Sequence, residues 1–197
     1  MGIQELLSQY GDKYIQALFV TWKLTAVSFV LAFLIGILIT IMRVCPVKPL
    51  RWVGDFYVQI FRNIPGATLL IMLVHALPYL KMVLSYYTCV LTATSLLPAA
   101  FCSEYLMAGM NTVSIGQIEA ARALGMSFGK ILKNVVIPQA LRSSVLPMTN
   151  LLVATMLTTA LASQVPMNPT DLTGLVSHIN TLSLIHISEP TRLQLIS

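Results

Sequence analysis

Glu119 and Arg122 stand three apart in QIEAARALGM, residues 117–126 of a chain whose side chains are mostly apolar. At that spacing on a helix a carboxylate and a guanidinium can pair, while Ala120, Ala121 and Leu124 form an opposite face of small and aliphatic side chains that lets another surface approach closely. Gly125 then supplies a C-cap or a sharp turn, because glycine takes positive φ without steric cost. A second amphipathic stretch follows, with Ile131, Leu132, Val135 and Val136 at helical spacing, and Pro138 is expected to close it. The pattern predicts a helix, a turn, a helix and a stop, and the chemistry it offers is that of surface recognition.

Other polar side chains lie inside apolar stretches. Glu104 is expected to line a path, join a polar network or reach water at an interface, because intramembrane charges are costly and face a bundle interior. Thr155, Thr158 and Thr159 share one helical face near Asn150. They can contact a solute, or bond back to their own helix and neighbouring helices. His75 lacks a second ligand at suitable spacing and reads as packed or pore-facing, not as a metal ligand. Cys45, Cys89 and Cys102, an odd number with two in apolar segments, fit neither a disulfide framework nor a zinc cluster and read as packing residues. An intramembrane hydrolase would need an aspartate or an activated nucleophile in the apolar spans, and none is evident there.

The elements that must position these residues follow from composition. A hydrophobic fraction of 56%, only 10% charged residues and a mean hydropathy of +0.80 describe a membrane protein. Each crossing needs about 20 apolar residues to span about 30 Å of hydrocarbon. Four spans are predicted, at 24–42, 64–80, 82–107 and 145–165, in an all-α polytopic bundle. The first, LTAVSFVLAFLIGILITIM, has no charge and ends at Arg43. Ile3, Leu6, Leu7, Tyr10 and Tyr14 predict a short amphipathic helix at the membrane surface before it, and no removable secretory signal is expected ahead of it. Arg43, Lys48, Arg51 and Arg62 flank the first connection and Arg122, Lys130, Lys133 and Arg142 crowd the third, while Lys81 stands alone in the second. By the positive-inside rule the first and third connections are cytoplasmic and the N-terminus is outside. The excess of 12 Lys and Arg over 7 Asp and Glu is read in the same way, not as a nucleic-acid surface.

EAARALG followed by VVIP, with Glu119, Ala120, Ala121, Leu124 and Gly125 and then Val135, Ile137 and Pro138, resembles the EAA loop of ABC importer permeases. FRNIPGATLLIMLVHALP, SEYLMAGMNTVSIGQIEAARALG and IPQALRSSVLPMTNLLVATMLTTALASQV resemble, more narrowly, the polar amino-acid permeases of the histidine, glutamine, glutamate and arginine group, with the wording nearest to glutamate-type members. The resemblance covers the chain from the first span to about residue 181. It implies a multi-pass subunit of a bacterial-type plasma (inner) membrane that is not itself an enzyme. Its EAA loop would be a coupling helix docked on a separate ATPase subunit, and that partner would bind ATP and Mg. An external solute-binding protein would deliver the amino acid, which would cross between two permease copies or between this chain and a sister permease. Glu104, Asn150, Thr155 and Thr159 are the candidates for the translocation path. The chain has no GxxxxGK[ST] phosphate loop, in keeping with a permease that binds no cofactor of its own.

Three departures stand out. Ile64 replaces the threonine of the usual RNTP stretch, and Met107 stands where many members carry arginine. After VSHINT the family continues into a further span, whereas residues 182–197 read LSLIHISEPTRLQLIS, in which Glu189, Pro190 and Arg192 interrupt short apolar runs. The permease domain is therefore expected at 1–181, with an unrelated ending in place of a fifth span. The alternative function, a stand-alone secondary transporter or channel, would call for inverted repeats or a coupling-ion site, and neither is clear in the sequence.

Overall fold

In hydrocarbon every backbone polar group needs a partner within the protein, so apolar runs of this length become helices. The computed structural model describes residues 3–168 and 170–181, with side chains from residue 10 onward, and among them there is no strand. The expected ending at 182–197 lies outside the described residues. Helix α1 is Ile3–Val44, α2 Lys48–Asn63, α3 Gly66–Tyr79, α4 Tyr86–Asn111, α5 Ile115–Ala123 and α6 Phe128–Gln164; α7 runs over 172–181. Three of these helices are long and apolar enough to cross a membrane, or four spans if α2 and α3 count as one broken span. The expected all-α membrane bundle is thus the observed architecture.

Helix α4 is its centre. Within the most apolar window of α4, 67% of residues are buried inside the molecule, against 39% for α1 and 22% for α6, so α1 and α6 leave most of their surface outside the bundle. Helix α1 presents Ala17, Thr21, Leu24, Ser28, Ala32 and Ile39 inward at spacings of three, four and seven residues, and Phe19, Trp22, Val30 and Leu34 outward. Small residues let membrane helices approach. A Cβ on Gly36 would stand 2.6 Å from Cys102 Sγ, and Ser28 and Thr94 share a buried hydroxyl–hydroxyl bond of 2.7 Å between α1 and α4. Around α4 lie an apolar cluster with Leu24, Leu70, Val90 and Ala162 and, nearer its C-terminus, another with Cys102, Leu106 and Leu151.

Several element bounds differ from expectation. The N-terminal surface helix does not exist as a separate element: α1 runs unbroken through it, because nothing between Tyr10 and Leu24 removes a donor or caps the helix. The first connection is not a loop but helix α2, with Pro49 in its first turn, where a missing N–H costs nothing. The span expected at 64–80 is therefore only the second arm of a pair bent by 103° at Ile64 and Pro65. Proline holds the preceding residue extended, and Ile64 has φ −86° and ψ 126°. The third span is shifted to Tyr86–Asn111, because Ser85 caps it by accepting the Thr88 N–H.

The fourth span is longer than expected, and Pro138 is not a stop. Helix α6 starts at Phe128 and passes through both Pro138 and Pro147. Residues Leu132–Val136 form a π turn in which Ile137 N–H bonds Leu132 O, and Met72–Ala76 do the same before Pro78. One extra residue in the turn widens it just ahead of each proline, which relieves the ring's clash with the preceding carbonyls and lets the helix continue.

Candidate functional site

The polar residues of the bundle converge where α1, α2 and α4 meet. Arg43, in the last turn of α1, bonds Asp55 of α2 through Nε at 2.8 Å and Glu104 of α4 through Nη2 at 2.8 Å, and also reaches Ser103 Oγ at 3.2 Å. The other Glu104 oxygen takes Arg62 of α2 at 3.2 Å. Two carboxylates and two guanidiniums alternate in one chain of ion pairs, so the half-buried carboxylate of Glu104 is compensated from two sides. Glycine makes the approach possible, since a Cβ on Gly54 of α2 would stand 2.7 Å from Arg43 Cγ. Tyr57 fastens α2 to α4 by donating its hydroxyl to Leu96 O at 2.8 Å.

This network lines a cleft of about 390 Å³ with Gln59, Asn63 and Phe101. A second, mostly apolar cleft of about 310 Å³ adjoins it between α2, α4 and α6, lined by Phe61, Leu97, Pro98, Tyr105 and Leu151. Arg62 and Phe101 border both clefts, and the Arg62 guanidinium lies 5.5 Å from the centre of the Phe101 ring. A third opening, of about 400 Å³, shares Gly66 and Thr158 with the second and ends near Gln164. The three form a groove up one side of the bundle, polar at one end and apolar in the middle.

The sequence candidates fall differently on this frame. Glu104 is at the centre of the polar network and lines the polar cleft, two of the three roles left open for it from the sequence. Thr155 and Thr159 are buried, with hydroxyls donated to Leu151 O and Met156 O; Thr155 nevertheless lines the apolar cleft beside Thr158, which bonds Ala154 O, whereas Thr159 lines none of the three clefts. Asn150 is exposed and lines none of the three clefts. His75 lies exposed in the α3 π turn, and the described residues contain no cluster of three potential metal ligands. The sequence reading missed Arg43 and Arg62 as partners of Glu104, counting them as connection charges, and did not single out Asp55, the second partner of Arg43. Their signal was the helical spacing of Asp55, Gln59 and Arg62, which places all three on one face of α2.

At the end of the bundle beyond Asn111, α5 and the start of α6 form a helical elbow. Ala121 is 5% exposed, packed with Val113, Ile131 and Val136, and Val135 lies at the edge of that cluster. The expected open face of Ala120, Ala121 and Leu124 is therefore split. Ala121 faces the molecule, because Met126 N–H returns to Ala121 O and folds the turn under it, whereas Ala120 and Leu124 face outward, Leu124 at 82% exposure. Gly125 does take the left-handed conformation, at φ +72°, and closes the turn with its N–H on Arg122 O. Glu119 and Arg122 are both exposed and do not pair with each other among the described residues. Ile137 and Pro138 are exposed on the far side of the π turn.

Residues 32–185 match the model of a family described as "binding-protein-dependent transport system inner membrane component". The chain is 31% identical over 196 residues to the glutamate transport system permease protein GluC of Corynebacterium efficiens, covering 91% of this chain and 86% of that protein. It is 33% identical over 130 residues to the arginine transport system permease protein ArtQ of Bacillus subtilis, covering 66% of this chain and spanning 59% of ArtQ. Among solved structures, an amino acid ABC transporter crystallised with histidines superposes with a TM-score of 0.86 at 26% identity, covering 93% of this chain and 85% of that one.

Proposed function

We propose, from the premise that this chain belongs to the family of binding-protein-dependent transport system inner membrane components, that it is the permease subunit of an ATP-driven importer of polar amino acids. Residues 1–181 form its permease domain. Family membership makes it a multi-pass, non-catalytic membrane subunit. The observation that carries the coupling part of the reading is the α5 elbow. Ala121 anchors it to α6, and Glu119, Ala120 and Leu124 project from it without a partner among the described residues. An apolar side chain as exposed as Leu124 at a helix end, beside a free carboxylate, is suited to a groove on another protein.

In this reading the elbow docks on a separate ATPase subunit, which binds ATP and Mg, and lies on the cytoplasmic side with the N-terminus outside. Gly125 sets the angle of the docking helix. Val135, Ile137 and Pro138 form the π-turn joint through which its motion reaches α6. An external solute-binding protein hands the amino acid to a path built from the groove of this chain and that of a second permease, identical or sister. Glu104, Thr155 and Thr158 border the path, Thr159 backs it from within α6, and Asn150, exposed on α6, meets it only from a surface shared with the second permease. The two orientations of the bundle are the states that ATP binding and hydrolysis must favour in turn.

Membrane vesicles carrying the complete transporter test this reading. Labelled glutamate, glutamine, arginine and histidine are offered with the solute-binding protein, with and without internal ATP. At least one should accumulate only when ATP is present. Accumulation driven equally well by an ion gradient without ATP would favour a stand-alone secondary transporter.

A further inference from the structure

The ion-pair chain at the polar end of the groove has a fixed half and a loose half. Arg43 is held by three partners, and its side chain is 13% exposed. Arg62 has one bond, at 3.2 Å, and is 43% exposed. An ion pair open to water to that extent contributes little stability. Glu104 would keep its compensation if Arg62 left, because Arg43 still holds its other oxygen. Arg62 also lies one residue before the end of α2, beside the 103° bend, and is shared by the polar and the apolar cleft. Of the two residues that line both clefts, Arg62 and Phe101, it is the charged one.

We infer that Arg62 recognises the carboxylate of the transported solute and, when no solute is present, is parked on Glu104, where it closes the junction between the two clefts. This rests on the reading of the groove as an amino-acid path and adds to it the element that recognises and gates. The planar guanidinium matches a carboxylate with two parallel hydrogen bonds, which is stronger and more directional than its single bond to Glu104. When the solute carboxylate takes Arg62, the released Glu104 oxygen accepts the solute ammonium. Two ion pairs replace one, no charge is left uncompensated, and a zwitterionic α-amino acid is the matched ligand. Phe101, stacked near the guanidinium, keeps Arg62 at the junction while it changes partner.

The test uses the complete transporter in proteoliposomes preloaded with labelled L-glutamine and read first without ATP. Glu104→Gln unparks Arg62 and should raise passive efflux about tenfold over the parent, while the complex still assembles. Glu104→Asp, which keeps the charge but withdraws the carboxylate by one methylene, should raise efflux in the same direction and covers the case in which the glutamine variant does not assemble. Arg62→Lys keeps the parked pair but loses the fork: efflux should stay at the parental level while the KM for ATP-driven L-glutamine uptake rises about tenfold. Parental efflux in both Glu104 variants, or an unchanged KM in Arg62→Lys, overturns the inference. Absence of any ATP-driven uptake by the parent would instead strike at the transport reading, and the efflux comparison would still be readable.

Discussion

Gly109 sits where α4 crosses α6, at the base of the elbow that carries α5. A Cβ built there would fall against Ser144 Oγ, 2.6 Å from Ala140 O and 3.0 Å from Ser143 Oγ. A hydroxyl can rotate away, but Ala140 O belongs to the backbone of α6. To reach ordinary van der Waals contact near 3.4 Å the two helices must part by roughly 0.8 Å, and repulsion at such distances rises too steeply to be absorbed in place. Parting them weakens the Ser144 bond to Tyr105 O, 3.1 Å, and the Ser143 bond to Gly109 O, 3.3 Å. Overpacking of this kind costs about 1–3 kcal/mol, and the two weakened, not broken, hydrogen bonds add about 1 kcal/mol between them. Against this, alanine in place of glycine within a helix gains about 0.8–1 kcal/mol. Gly109→Ala should therefore destabilise by about 1–3 kcal/mol overall. Gly116, with no atom within 4 Å of its added Cβ, should be neutral or gain up to about 1 kcal/mol as alanine. Thermal unfolding of the two variants and the parent in the same detergent reads the difference directly. A Gly109→Ala variant as stable as Gly116→Ala would refute the close crossing.

Three further substitutions separate packing from docking. Ala121→Asp places a carboxylate in the cluster of Val113, Ile131 and Val136 and should cost about 3 kcal/mol or more in thermal unfolding; Ala120→Asp, on the open side, should stay within about 0.5 kcal/mol of the parent. Gly125→Ala, at φ +72°, should cost about 1–2 kcal/mol for left-handed backbone with a Cβ, with no change in the packing of α4 on α1. Arg43→Gln removes the cation shared by Asp55 and Glu104 and should cost about 2 kcal/mol. Arg43→Lys should recover less than half of that in the same assay, because one ammonium cannot reproduce the guanidinium's spread of donors.

Composition and the run at 24–42 made the membrane bundle legible from sequence, and the spacing of Glu119 to Gly125 made the helix and its left-handed turn legible too. Two features escaped for physical reasons. Proline was read as a helix stop, but a π turn just ahead of Pro78 and Pro138 absorbs the clash, and local sequence carries no direct mark of that extra residue. The charges of α2 were read as a solvated connection because their number, not their phase, was weighed. Asp55 and Arg62 are seven apart, two helical turns, and so lie on one face of α2, where they meet Arg43 of α1 and Glu104 of α4. The partition of Ala120 and Ala121 between outside and inside depended on how the turn at Gly125 folds back, a tertiary matter that helical periodicity on nine residues cannot fix. Small residues on α1, by contrast, carry a readable signal, since Ser28, Ala32 and Gly36 recur every four residues on its buried face, and Ser28 and Gly36 meet Thr94 and Cys102 of α4.

Capture of the ATPase by the elbow tests the central claim most directly. The tagged chain is purified from membranes beside a Glu119→Lys/Leu124→Asp variant, which changes two outward side chains and leaves Ala121 and Gly125 in place. The account predicts that an ATPase subunit copurifies with the parent and is lost from the variant while both remain inserted and equally stable. An ATPase retained in full by the variant, or absent from both, would contradict the assignment of α5 as the docking helix.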